Sequence, residues 1–192
     1  MFKIIVLVLS LFIVSCVTIS PAINPNSPIK IYGVTALSPQ NGEWVVMAAS
    51  GYQSTLASKG SSKDASLVVN VSIFQLPALD TDQKFLEYII NARASTPNTG
   101  RFDNQKYTEN LSTLNGAVCV KYHSFSNDNN AKIAGGKASM LLESIGYNCQ
   151  HPINNLVGVN IEYSSRYFET KEKSSLEKDS KTFFSNIEFS EF

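Results

Sequence analysis

Leu67-Val68-Val69-Asn70-Val71-Ser72-Ile73-Phe74 is the stretch of this sequence with the clearest structural pattern. Apolar residues occupy alternate positions, and most of them are β-branched. In a strand, such alternation places one apolar row on a single face of a sheet. The stretch therefore predicts a β-strand that packs on a core. The residues of its apolar row are Leu67, Val69, Val71 and Ile73.

Shorter runs before this stretch predict further strands. Residues 29–34, 43–48 and 52–58 are rich in β-branched, aromatic or alternating residues, and Ser38-Pro39-Gln40-Asn41-Gly42 has the composition of a turn. Together with residues 67–74 they predict an antiparallel meander.

A helix is predicted directly after the meander. Asp80 can cap its N-terminus, and Gln83 lies three residues later, as in a capping box. Apolar residues recur at helical spacing as far as Arg93, and Pro97 ends the pattern. We expect the apolar stripe of this helix to pack on the sheet. The stripe consists of Phe85, Leu86, Ile89 and Ile90.

The second half of the chain again predicts strands followed by a helix. The strands are expected over residues 102–111, 117–123, 137–147 and 155–163, and a soft loop rich in Asn and Gly over residues 126–136. Ser174 and Glu177 fit a capping box at the start of the C-terminal helix. The order of elements predicts an α+β fold, in which antiparallel β-sheet meanders carry the two helices on one face.

One tripeptide and this order of elements carry a family resemblance. Gly42-Glu43-Trp44, followed by a meander, a helix, a second meander and a C-terminal helix, resembles the Mog1/PsbP fold, which also includes small bacterial lipoproteins of the DcrB type. The resemblance spans most of residues 29–192. Because members of that fold are mostly non-enzymatic binding or assembly factors, it implies a protein-interaction role, although a fold alone does not fix a function.

The first fifteen residues have the pattern of an export signal. Lys3 gives a basic start, and the run from Ile4 to Val14 is apolar except for Ser10. A membrane span needs about 20 apolar residues, so this run favours a signal peptide over a permanent anchor.

The apolar run ends at Ile13-Val14-Ser15-Cys16, which resembles the lipobox of bacterial lipoproteins. In that family the cysteine carries a diacylglyceryl group and the signal is cut just before it. The resemblance implies that Cys16 is lipidated and that Ser15 is the last residue removed. Val17, where Asp would signal inner-membrane retention, favours the periplasmic face of the outer membrane. An ordinary cleaved signal and an uncleaved anchor are the alternatives.

The segment after Cys16 is predicted to be a flexible tether. It contains Pro21, Pro25 and Pro28 with polar residues between them, and it has little apolar material. Extended at about 3.1 Å per residue, it would reach roughly 35 to 40 Å. The predicted organisation is a signal peptide over residues 1–15, the lipidated cysteine and tether over 16–28, and a single α+β domain over 29–192.

The charge of the chain is balanced. It contains 16 basic and 16 acidic residues, and removal of the signal takes away only Lys3. Such balance gives no electrostatic case for nucleic-acid binding. The predicted partners therefore do not include nucleic acid. The two resemblances imply the membrane, through the N-terminal lipid, and an envelope protein as partners.

Two cysteines remain when Cys16 is assigned to the lipid. In an oxidising compartment Cys119 and Cys149 predict a disulfide. It would close a loop of about 30 residues, which contributes roughly 3 to 4 kcal/mol in the chain-entropy model. Two buried free thiols, or a metal site that includes His151, are the alternatives.

The sequence contains no recognisable catalytic constellation. His123 and His151 are the only histidines, and no G-x-S-x-G nucleophile turn occurs. His123 is expected to be a solvated strand residue. We therefore predict a non-catalytic domain without a cofactor that binds an envelope protein or a small ligand. An envelope hydrolase with a site around either histidine, and a stabilising subunit of a larger envelope assembly, are the other hypotheses.

Two further stretches have the composition of binding sites. Asn127-Asp128-Asn129-Asn130 offers oxygen ligands for calcium, but the surrounding sequence lacks the acidic residues that would complete the site, so a flexible hairpin loop is expected. Aromatic and charged residues are densest near residue 165, and such residues are enriched in interfaces, although they are also common at strand ends. The predicted interaction surface consists of Tyr163, Arg166, Tyr167 and Phe168.

Overall fold

Two antiparallel sheets and two helices form the part of the chain that the computed structural model describes, namely residues 21–96, 100–168 and 176–192. The strands are β1 (Ala22–Ile23), β2 (Pro28–Ile31), β3 (Val34–Leu37), β4 (Trp44–Ala49), β5 (Gln53–Lys59), β6 (Ser66–Gln75), β7 (Phe102–Leu114), β8 (Ala117–Ile133), β9 (Gly136–Gln150), β10 (Val157–Tyr167) and β11 (Glu188–Phe189). The helices are α1 (Asp82–Ala94) and α2 (Leu176–Phe184).

The large sheet has eight strands in the order β1-β4-β5-β6-β10-β9-β8-β7, and the small sheet has three in the order β11-β3-β2. The strand predicted over residues 67–74 is confirmed as β6, which lies inside the large sheet between β5 and β10. Each strand of the second half pairs with the next one along the chain, because hairpins join β7 to β8, β8 to β9, and β9 to β10.

The two faces of the large sheet pack against different elements. The core face carries Val69, Val71 and Tyr163, and it is covered by the small sheet and by α2. The opposite face, which we call the cavity face, carries Val120 and is covered in part by α1. Because side chains of a strand alternate between faces, each strand contributes to both layers.

The predicted α+β Mog1/PsbP-like fold is wrong. Strands account for 56% of the structure and helices for 14%, which makes this a β-rich sandwich of a large and a small sheet. The two helices also lie on opposite faces of the large sheet. Because the small sheet covers part of the core face, α2 alone completes the packing of that face.

The origin of the small sheet is a turn that the sequence reading missed. Residues 29–34 were predicted to be one strand, but Gly33 has a φ of 70°, a left-handed conformation that glycine adopts without strain. The turn at Tyr32 and Gly33 folds β2 back onto β3. The first predicted strand is therefore a hairpin that leaves the large sheet.

The loop predicted over residues 126–136 is also replaced by strands. β8 continues to Ile133, β9 starts at Gly136, and the two pair almost to their ends. A register shift between Asp128 and Ala131 accommodates the polar sequence within the hairpin.

The first predicted helix is confirmed as α1, with a different cap. Thr81 is the N-cap, and its hydroxyl accepts a hydrogen bond from the backbone N–H of Lys84 at 3.2 Å. Asp80 forms an exposed ion pair with Lys84 instead. Pro97 and Ser174, the predicted end of one helix and cap of the other, lie outside the described residues. Neither helix in the described ranges is long and apolar enough to cross a bilayer.

Part of the predicted tether packs on the domain. The signal peptide and Cys16 lie outside the described residues, but β1 pairs with β4 and Pro28 begins β2. Buried Ser38 holds the intervening turn, because its hydroxyl donates to the carbonyl of Asn24 at 2.7 Å and accepts from the N–H of Ser27 at 2.9 Å.

Candidate functional site

The predicted disulfide is present. Cys119 and Cys149 are directly opposite each other in β8 and β9, are fully buried, and are joined through their sulfurs. This pairing removes the free-thiol and metal alternatives. His151 is also buried, and its Nε2 lies 2.9 Å from the carbonyl oxygen of Gly33, to which it donates. His151 therefore joins the large sheet to the small one.

The structure separates the residues of the predicted interaction surface. Tyr163 is buried on the core face, where its ring meets those of Trp44 and Phe183 at centroid distances of 5.9 Å. Tyr167 is on the same face, with its hydroxyl 2.9 Å from Glu143. Arg166 lies on the cavity face because neighbouring residues of a strand point in opposite directions. Phe168 follows the strand and is partly buried.

A cavity of about 490 Å³ lies between α1 and the cavity face of the large sheet. We call it the α1 cavity. One part of its wall is aromatic and the sheet surface beneath is polar, which is the usual composition of a small-molecule site. The aromatic residues are Phe74, Tyr88, Phe102, Tyr107 and Tyr122. The polar residues on the sheet include Ser144, Asn148, Asn160 and Glu162.

Glu162 and Tyr122 form a hydrogen-bonded pair in this cavity. The hydroxyl of Tyr122 donates to Oε2 of Glu162 at 2.7 Å. The two residues belong to β10 and β8, and Gly146 of the intervening strand is the register partner of both. Because Gly146 has no side chain, the Tyr122 ring can cross β9 and reach the carboxylate.

Burial dominates the electrostatics of the pair. It raises the pKa of Glu162, although hydrogen bonds from the hydroxyls of Tyr122, Ser164 and Ser144 act in the opposite direction. Burial and the nearby Glu162 charge raise the pKa of Tyr122 well above its ordinary value. Tyr122 therefore keeps its proton and acts as a donor.

The cation at the edge of the cavity is already paired. Arg93 of α1 donates through Nε and one terminal nitrogen to both carboxylate oxygens of Glu109, at 2.9 and 2.5 Å. Its guanidinium also lies 4.3 Å from the centroid of the Tyr107 ring. Glu109 and Glu162 are the carboxylates among the described residues of the cavity wall, and Glu162 is the one of the two without an ion pair.

Side-chain amides fix the sheet surface beside Glu162. Asn160 donates to the carbonyl oxygen of the Asn148 side chain at 3.1 Å and accepts from Asn70 at 3.3 Å. These hydrogen bonds connect three neighbouring strands, β6, β10 and β9. The amides are thus held in defined orientations before any ligand arrives, which reduces the entropic cost of binding.

A second cavity, of about 610 Å³, lies on the core face beside α2 and contains His123. The ring Nε2 of His123 lies 2.8 Å from one carboxylate oxygen of Glu143, whose other oxygen bonds the Tyr167 hydroxyl. His123 is partly exposed, with its side chain at 40%. His151 lies just after the C-terminal end of β9, outside this cavity, so the two histidines do not share a site.

Asp128 is a buried carboxylate between two arginines, not a loop residue. Both of its oxygens accept from Arg101, at 2.9 and 2.8 Å, and one also accepts from Arg166 at 3.1 Å. The hydrogen bonds from Arg101 are the main cause that lowers the pKa of Asp128 to about 2. Its charge is already compensated, and no group of three or more His, Cys, Asp or Glu residues in the described chain is arranged to hold a metal ion.

Comparison of the chain with protein-family models and with curated proteins gave no match. The chemistry of the α1 cavity is therefore the basis for a functional proposal. The sequence alone did not identify Tyr122 or Glu162 as a site residue. The available signal was the alternation of Asn160 and Glu162 with apolar residues, which places both polar groups on one face of a strand.

Proposed function

We propose that this chain is a lipid-anchored protein of the bacterial cell envelope whose domain binds a small organic cation in the α1 cavity, without catalysis. Glu162 is the single observation that carries the proposal. Its carboxylate is partly buried in the cavity and has a hydroxyl partner but, among the described residues, no cationic one.

Charge complementarity favours a cation over an anion or a neutral ligand. A carboxylate that is desolvated without a basic partner is unfavourable, and a bound positive charge offsets that cost. Arg93 does not supply this charge because Glu109 holds it. An ammonium or guanidinium group of the ligand would be the missing partner of Glu162.

The aromatic residues of the cavity suit the same ligand. A cation over an aromatic face gains about 0.5 to 2 kcal/mol, and more when it is desolvated. The rings of Tyr88 and Tyr122 are available on the helix and sheet sides, and Phe74 and Phe102 offer contact area for an apolar portion. The volume of about 490 Å³ is within the range of small-molecule sites.

Binding of two matched probes tests this proposal. Benzylamine, which is protonated at neutral pH, and benzyl alcohol, which is neutral and of similar shape, would be titrated into the purified mature protein by calorimetry. We expect benzylamine to bind more tightly. Glu162→Gln should abolish the preference for the cation, whereas Glu188→Gln, an exposed carboxylate on β11, should preserve it. Equal binding of the two probes, or an unchanged preference in Glu162→Gln, would contradict the proposal.

The location is proposed from Cys16. Lipidation of this residue would hold the protein on a membrane, since two or more acyl chains give stable attachment. Val17 favours the periplasmic face of the outer membrane, as above. Cys16→Ser should release the protein into a soluble or precursor form, as measured by membrane fractionation and intact mass. Tight attachment of that variant would refute the lipid anchor.

A hydrolase centred on His123 is the second candidate. The contact of 2.8 Å between His123 and Glu143 resembles an oriented general base, and it lies at a cavity of about 610 Å³. If a substrate screen detects hydrolysis, His123→Gln should abolish it and Glu143→Gln should reduce it. An activity that survives both changes would exclude this site.

A further inference from the structure

The N-terminal segment reaches the domain beside the β4–β5 turn. The N–H of Val46 donates to the carbonyl of Pro21 at 2.9 Å, and β1 then runs antiparallel to β4. β4 continues from Val46 toward the turn at Ser50 to Tyr52. The chain before Pro21 therefore approaches from the side of the domain on which this turn lies.

Exposed aromatic and apolar side chains are concentrated on that side. We use the name aromatic tip for Tyr32, Tyr52, Ile153 and Phe192, whose exposed fractions are 51, 62, 57 and 57%. The rings of Tyr32 and Tyr52 pack edge to face with centroids 5.1 Å apart, and the N–H of Tyr32 donates to the carbonyl of Gly51 at 2.8 Å. The two tyrosine rings therefore form one continuous surface.

The same tip belongs to one end of the sandwich. Ile153 lies in the loop between β9 and β10. The ring centroid of Phe192 lies 4.8 Å from that of His151, the residue that follows β9. Strands β4, β6 and β9 all finish at this end, as their pairing shows. Four separate segments thus contribute apolar groups to it.

Charged residues are concentrated at the end of the large sheet opposite the aromatic tip. Of the four segments of the tip, residues 31–37, 48–54 and 151–157 contain no Lys, Arg, Asp or Glu, and the C-terminal segment that carries Phe192 contains no basic residue but includes Glu188 and Glu191. The opposite end of the large sheet contains many charged residues. They include Lys59, Lys63, Asp64, Arg101, Lys132 and Lys137. The domain therefore has one aromatic end with few charges and no basic residue in its tip segments, and one end that is rich in charge.

We propose that the aromatic tip rests in the interfacial layer of the bilayer that holds the lipid on Cys16. This inference depends on the lipid anchor of the proposed function. Pro21 is five positions after Cys16, a reach of about 17 Å when extended. The path along β4 from Val46 to Gly51 is also five residues, or about 17 Å, so the lipid can lie level with the tip.

The chemistry of the tip fits a lipid interface. Tyrosine is enriched at membrane interfaces because its ring is apolar and its hydroxyl is polar. A short link to an anchored lipid gives the tip a high effective concentration at the surface, so weak contacts suffice. Since the tip loops lack basic residues, its contact should depend little on anionic lipid or on salt.

Fluorescence quenching tests the orientation. The mature lipidated protein would be reconstituted in phosphatidylcholine vesicles that carry brominated acyl chains. Trp44, the only tryptophan, is buried in the core and supplies a constant background. Tyr52→Trp should add emission that brominated lipid quenches at low and high salt alike. Lys132→Trp, at an exposed position on β8 at the charged end of the large sheet, should add emission that is not quenched.

Controls separate this inference from the anchor. Intact mass and vesicle flotation of the unsubstituted protein report lipidation alone, and their failure would refute the proposed function. If the protein floats but Tyr52→Trp is not quenched, in phosphatidylcholine or in anionic vesicles, the orientation is refuted and the anchor stands. A protein partner that covered the tip would give that unquenched result. Tyr32→Trp provides a second variant should Tyr52→Trp misfold.

Discussion

Tyr122 and Glu162 lie on strands that are not neighbours, yet a hydrogen bond of 2.7 Å joins their side chains. The strand between them contributes Gly146 at the crossing point. Three strands thus contribute the carboxylate of Glu162, the hydroxyl donor of Tyr122, and the gap at Gly146 through which they meet. The α1 cavity depends on the register of all three, because a shift of one residue would send each side chain to the other face.

Because the Tyr122 ring crosses β9 at Gly146, we expect Gly146→Ala to be destabilising. An added Cβ would overlap the Tyr122 side chain and lie 2.7 Å from the carbonyl oxygen of Ile161. We expect a loss of about 1 to 3 kcal/mol in the free energy of unfolding, together with loss of benzylamine binding. Gly135→Ala is the matched control, because a Cβ there meets nothing within 4 Å. Urea unfolding of both variants measures the effect, and equal stabilities would show that the ring does not occupy this gap.

We expect the pKa of Glu162 to change when its donor, the hydroxyl of Tyr122, is removed. In Tyr122→Phe the carboxylate loses a bond that lowers its pKa, so the pKa of Glu162 should rise further. The loss of a hydrogen bond to a charged group should also destabilise the fold by about 1.5 to 3 kcal/mol. Carboxyl carbon chemical shifts followed against pH would measure the pKa. Tyr52→Phe, at an exposed tyrosine, should leave it unchanged. A lower pKa in Tyr122→Phe would contradict the assigned geometry.

Asp128 predicts a specific loss of stability in acid. The folded-state pKa of about 2 lies below the ordinary 3.8, so over this interval the unfolded state binds more protons. The stabilisation, about 2 kcal/mol, is complete above about pH 4 and is lost as the pH falls toward 2. Asp128→Asn should therefore be less stable at neutral pH and should show a flatter pH dependence below pH 4.

Urea unfolding from pH 7 to pH 2 would test this expectation. Asp80→Asn is the control, because Asp80 forms only an exposed ion pair with Lys84 and its loss should leave stability unchanged within error. An acid profile of Asp128→Asn that parallels the unsubstituted protein would show that the two arginines do not hold this carboxylate.

Local patterns made some of this structure predictable. The alternation in residues 67–74 gave β6, the helical spacing of Phe85 and Ile89 gave α1, and the cysteine count gave the disulfide. These features depend on neighbouring residues or on counting. The fold class was wrong because the turn at Gly33, which separates the small sheet, lies within an otherwise continuous strand pattern.

The site was less predictable because it depends on strand register. Tyr122 and Glu162 are 40 residues apart, and no local pattern states that both face Gly146. Asp128 was interpreted as a loop residue because its partners, Arg101 and Arg166, are 27 and 38 residues away. Buried charges of this kind look like solvated polar residues in a sequence, since only the folded chain reveals the partner.

The disulfide predicts both a labelling pattern and a loss of stability. Cys119 and Cys149 are 30 residues apart and fully buried, so the bond restricts a loop of the unfolded chain. Replacing both residues by Ala should lower the free energy of unfolding by roughly 3 to 4 kcal/mol. Intact mass after denaturation should show two labelled thiols only when a reductant is added, because Cys16 would be blocked by its lipid. Labelling without reductant would mean that the two strands carry free thiols, and the double variant would then lose only the packing of two small buried side chains.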